Sequence, residues 1–92
     1  MRNMAKYVYL TYFMHVPELT LEMYKTKIRP KLENKDVKLI SDGRPFGVSE
    51  GSLLIHSTDL ALAEFIDFRR EAFRVDGKNM MTQARTIVMI PY

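Results

Sequence analysis

The chain has 92 residues, 47% of them hydrophobic and 27% charged, with a formal net charge of +3 and no cysteine. That length supports one domain with a single modest core, residues 1–92, and the composition is too apolar for a disordered chain. Disulfides and thiolate zinc sites are excluded, and no run approaches the roughly 20 apolar residues that a membrane-spanning helix needs.

The lead MRNMAKYVYLTYFMHV is rich in Tyr and Thr and has no small-residue cleavage site behind it, so it does not read as a signal peptide. Residues 1–5 are expected to be a frayed leader, and the cytoplasm is the default location. KYVYLTYFMH, residues 6–15, predicts a strand without a polar side: Tyr7, Tyr9, Thr11 and Phe13 share one face, and Val8, Leu10, Tyr12 and Met14 the other. After the loop HVPELT, Thr20 is the expected N-cap of a helix striped by Leu21, Tyr24, Ile28 and Leu32, and Pro30 predicts a kink or a tightened end.

VKLISDG then alternates Val37, Leu39 and Ser41 against Lys38, Ile40 and Asp42, a half-buried edge strand. GRPFGVSEG forms a long hairpin tip before a third strand in SLLIHS. Thr58 or Ser57 is the expected cap of a second, stronger helix whose apolar face holds Ala61, Leu62, Phe65, Ile66, Phe68, Ala72 and Phe73. That helix is expected to end at Gly77, and TIVMIPY supplies the last strand.

Strand, helix, strand, strand, helix, strand is a ferredoxin-like plan, an α+β domain with a four-stranded antiparallel sheet and both helices on one face. Right-handed crossovers are expected to set the first and third strands side by side and parallel in the middle, with the second and fourth at the edges. Helices hide one sheet face only. The apolar residues on the other, also present in LLI at 53–55 and IVMI at 87–90, predict a homodimer through the open face.

In KYVYLTYF, IRPKLENKDVKLISDGRPFG and GSLLIHSTDLALAEFIDFRR the chain resembles the dimeric α+β barrel superfamily, and in particular its small YCII-like and antibiotic-monooxygenase-like members. The resemblance implies sheet-to-sheet dimers and a pocket between helices and sheet for a small molecule, with cofactor-free oxygenation or isomerisation as the chemistry of an enzyme. It implies no cofactor for this chain: with no Trp, and no His on the second helix, the residues expected of haem-degrading relatives are missing. MMTQARTIVMI also resembles the last strand of the effector domain of feast/famine regulators, here without a helix-turn-helix. The alternative function is therefore a ligand-sensing or oligomerisation module.

His15 and His56 end the first and third strands, each before a helix N-terminus. On parallel neighbours they would share one rim, where they are the candidate catalytic acid and base for an anionic substrate. The plain alternative is that both are loop-end residues with ordinary hydrogen bonds, and two His alone make no metal site. Tyr12, Tyr24 and Arg44 are the candidate ligand-binding residues, the tyrosines for orientation and Arg44 as an anion clamp at the hairpin tip. Lys25 and Arg29 fall on one side of the first helix and Lys27 and Lys31 on the other, the pattern of a solvated helix. The third strand has no aromatics for stacking bases, so nucleic acid is not an expected partner.

Overall fold

The structure, a computed structural model, describes residues 6–45 and 50–92; the expected leader and the middle of the hairpin tip lie outside them. Strands β1 (Tyr7–His15), β2 (Val37–Gly43), β3 (Ser52–Thr58) and β6 (Met81–Met89) form one sheet in the order β2-β3-β1-β6, every neighbouring pair antiparallel. The protein is a small α+β domain, compatible with a ferredoxin-like arrangement. The expected parallel pairing of the first and third strands is wrong. A crossover makes β1 and β2 parallel but leaves a gap between them. β3 fills that gap after a hairpin and so runs against both.

The first helical segment, α1 (residues 21–31), is three short pieces: α-helical Leu21–Met23, π-helical Tyr24–Ile28 and 3-10 Arg29–Lys31. Thr20 caps it as expected, its hydroxyl accepting from the Met23 amide at 3.1 Å. Pro30 has no N–H to continue an α-helical ladder. The turn before it widens instead, with the Arg29 amide donating to the Tyr24 carbonyl five residues back.

Helix α2 (Leu62–Ala72) starts later than the sequence suggests. Ser57 and Thr58 belong to β3, and the buried Thr58 hydroxyl donates to Asp36 O at 2.7 Å and accepts from the Leu60 amide at 3.1 Å. Ala61 stands at the cap position, its amide donating to Glu64 Oε1 at 3.3 Å. The helix also ends early, at Ala72, where a hairpin of β4 (Arg74–Val75) and β5 (Lys78–Asn79) turns on Asp76 and Gly77. Both turn residues have positive φ, 52° and 79°, as a two-residue hairpin turn of type I′ requires.

Both helices lie on the face of Tyr9, Thr11 and Phe13, which are all buried. Phe13, Tyr24, Ile28, Leu32, Leu54 and Phe73 form the larger core, and Tyr9 stacks on Phe65 at 4.4 Å beside it. The opposite face carries Val8, Leu10 and Tyr12 of β1, opposite Ser57, Ile55 and Leu53 of β3 and Met89, Ile87 and Arg85 of β6. Among the described residues nothing covers Ile87, 64% exposed, or Met89, 50% exposed.

Candidate functional site

A cavity of about 510 Å³ opens between α1, the ends of β1 and β2, and the start of β3. Its apolar lining includes Phe13, Leu19, Leu21 and Leu54, and its polar lining His15, Tyr24, Arg29, Asp42 and Arg44. Three of the residues expected from the sequence, His15, Tyr24 and Arg44, are therefore together. Arg29 and Asp42 are additions.

Two local irregularities build the polar wall. Leu39 pairs with His56 but Ser41 pairs with Ile55, so Ile40 is an extra residue in β2. The resulting bulge reverses the alternation beyond it and sets Asp42 opposite Leu54, on the helix side rather than the open side. On a regular α-helix, side chains five residues apart diverge by about 140°. The wide π turn reduces that divergence and brings Arg29 round to the side of Tyr24, whose ring lies 5.5 Å from the guanidinium carbon.

The three groups meet on one oxygen. Tyr24 Oη donates to Asp42 Oδ2 at 2.6 Å and Arg29 Nε donates to the same oxygen at 2.8 Å. Partial burial pushes the Asp42 carboxyl up, but the hydrogen bonds from Tyr24 and Arg29 and the guanidinium charge outweigh it and hold it below the usual carboxylate range. Burial, reinforced by Asp42, pushes the Tyr24 phenol well up, so it stays a donor. The bond to Asp42 raises Arg29 further, fixing its charge. Of the Arg29 guanidinium, Nε makes the bond to Asp42. His15 Nδ1 lies 2.8 Å from the Val16 carbonyl and donates to it, so the neutral ring keeps Nε2 as its acceptor.

The other two expected residues lie elsewhere. His56 pairs with Tyr9, far along β1 from His15, because antiparallel strands put their ends at opposite rims. It is fully buried, packed edge-on against Phe65 at 5.0 Å, with Nε2 donating to Leu32 O at 3.0 Å and Nδ1 without a partner. Burial, with the Arg69 charge adding to it against the Leu32 bond, lowers its pKa to about 4. His56 is a neutral core residue at pH 7. Tyr12 lies on the open face and donates to Glu50 O at 2.7 Å. Its ring covers Gly51, where an added Cβ would stand 2.5 Å from the hydroxyl.

Among the described residues no group of three or more His, Asp or Glu side chains stands close enough to hold a metal ion, and no helix is long and apolar enough to cross a membrane. Comparison of the chain with protein-family models, with curated proteins and with solved structures found no match in any of the three.

Proposed function

We propose that this protein binds a small anionic metabolite with an apolar, aromatic body in the cavity beside α1, and that it does so as a homodimer of the dimeric α+β barrel type. The observation that carries the ligand reading is the cavity itself: about 510 Å³, within the range of about 300–1,000 Å³ usual for ligand pockets, apolar on one side and holding two arginines against one carboxylate. Asp42 and Tyr24 fix Arg29 through Nε, so its terminal nitrogens are pre-aimed as a fork for a carboxylate or phosphate. Arg44 supplies a second cation at the mouth, and Phe13, Leu19 and Leu54 receive the apolar body. If the ligand is turned over, His15 is the group in the cavity suited to carry a proton, through Nε2.

The dimer reading rests on the open sheet face. Ile55, Leu10 and Ile87 make an apolar row across three strands, flanked by Leu53, Tyr12, Val8 and Met89 and rimmed by Lys38, Ser57 and Arg85. An apolar centre with a polar rim is the usual anatomy of an interface, and a two-fold axis lets one such face cover its own copy.

Isothermal titration with 4-hydroxybenzoate, and with 4-hydroxybenzyl alcohol as the neutral control, tests the ligand reading. The acid should bind and the alcohol should not. Arg29→Met should weaken the acid at least tenfold, whereas Asp42→Asn, which removes the competing carboxylate, should not weaken it. Equal binding of acid and alcohol, or an unchanged affinity in Arg29→Met, contradicts the reading.

A further inference from the structure

The buried stripe of α2 is Phe65, Arg69 and Ala72, and Arg69 is only 6% exposed. Its Nη1 donates to the hydroxyls of Thr11 at 3.0 Å and Thr86 at 2.8 Å, and its Nε is buried without an acceptor. No ion pair among the described residues includes it. All Asp and Glu residues of the chain are described ones, since residues 1–5 read MRNMA and 46–49 read FGVS. No acidic side chain of this chain is therefore its counter-charge; its partners are the two hydroxyls and the Phe65 ring, 5.8 Å from the guanidinium carbon, and a buried guanidinium without an anion is unfavourable.

The hydrogen-bond balance around Arg69 points the same way. Thr11 and Thr86 both accept from Nη1, and their own hydroxyl protons have no acceptor among the described residues. Nε–H and two O–H groups are thus surplus donors around one cation, which is the chemistry of an anion site.

The edge strand β6 lies beside Arg69, through Thr86. Phe68 leans from α2 toward His56 of β3, at 6.4 Å between rings. Leu62 and Ile66 fall on the other flank of the helix, toward β6. There β6 presents Val88 and Thr86, the residues paired with Tyr9 and Thr11, and among the described residues no strand lies beyond it. Leu62 is 42% and Val88 39% exposed. We propose that the surface between α2 and β6 is a second binding site, for an unbranched apolar carboxylic acid whose carboxylate enters beside Thr86 to meet Arg69 and whose tail lies on Leu62, Ile66 and Val88. A narrow headgroup is required because Arg69 is nearly buried and bonded to two threonine hydroxyls, and the apolar side chains beside it suit a tail better than a peptide backbone.

Thermal unfolding of the full chain with octanoate, octanol or octylammonium at equal ionic strength tests this. Octanoate should raise Tm with increasing concentration, and the other two should not. Arg69→Met keeps the volume and removes the charge; it should unfold at or above the wild-type temperature and lose the octanoate response. Thr86→Val, which removes one donor while Arg69 remains, should weaken octanoate severalfold and decides the matter if Arg69→Met does not fold. Arg29→Met, in the other cavity, should respond like wild type, so failure of the first site and of this one are distinguishable. No octanoate response, a response retained in Arg69→Met or undiminished in Thr86→Val, or self-association through Arg69 in place of octanoate binding would each overturn the proposal.

Discussion

Replacing Asp42 by Asn leaves the shape of the α1 cavity and removes the charge on which Tyr24 and Arg29 converge. Tyr24 is only 9% exposed, and its hydroxyl donates to that carboxylate at 2.6 Å. Hydrogen bonds to charged groups contribute about 1.5–3 kcal/mol and neutral ones about 0.5–1.5, so exchanging the acceptor should cost about 1 kcal/mol. The Arg29 side chain is 42% exposed, so solvent screens its half of the interaction and adds little. A loss of about 1 kcal/mol lowers Tm by about 4–8 °C in a domain of this size. The sign with pH is fixed by the depressed carboxyl. Asp42 stabilises the fold above its ordinary value of 3.8, and that contribution fades as pH falls from 3.8 through the lower folded-state value. Urea unfolding of both proteins at pH 7 and at pH 2.5 should show the gap at pH 7 and a smaller one at pH 2.5. An equal gap at both pH values, or none at pH 7, refutes the assignment of Asp42 as the charged centre of the wall.

Three more outcomes follow from other parts of the molecule. His56 sits at about 4 in the fold against 6.5 for the free side chain, so the unfolded chain binds more protons between these values. Stability should fall as pH drops from 6.5 to 4, by up to ~3 kcal/mol, and His56→Leu should flatten that slope, as read by urea midpoints across the window. Gly51→Ala places a methyl against the Tyr12 ring at φ 93°, and should lower stability by about 1–3 kcal/mol in the same assay, part of which Tyr12→Ala restores in the double variant. Ile87→Lys puts a charge in the apolar row of the open face; light scattering should show a dimer for wild type and a monomer for the variant, while a wild-type monomer at micromolar concentration contradicts the dimer.

Regular periodicity was readable, and departures from it were not. Tyr24, Ile28 and Leu32 of the expected stripe, the Thr20 cap and the two-faced apolar strand β1 follow from spacing and are present, but Leu21, expected on the same stripe, is exposed. Asp42 escaped because alternation from Val37 places it on the wet side, and a bulge at Ile40 leaves no mark in residue type. Arg29 escaped because an ideal helix turns it away from Tyr24; Pro30 was the available signal, but a tightened end and a widened turn both satisfy it. Arg69 was hidden by its charge, which argued for solvent although it stands four residues after Phe65 on the buried stripe. The pair of histidines failed on strand direction rather than on composition, since inserting β3 between two parallel strands reverses it. Asp76-Gly77 is itself a hairpin signal, and a stronger one than the helix stop expected at Gly77.

The claim on which the account chiefly depends is that the α1 cavity is where an aromatic anion binds. Titrating 4-hydroxybenzoate into isotopically labelled protein and following backbone amide shifts by NMR tests it directly. The account predicts saturable shifts gathered at Phe13, Thr20, Tyr24, Asp42 and Leu54, lost in Arg29→Met. Shifts scattered over the surface, or none at millimolar ligand, would contradict it.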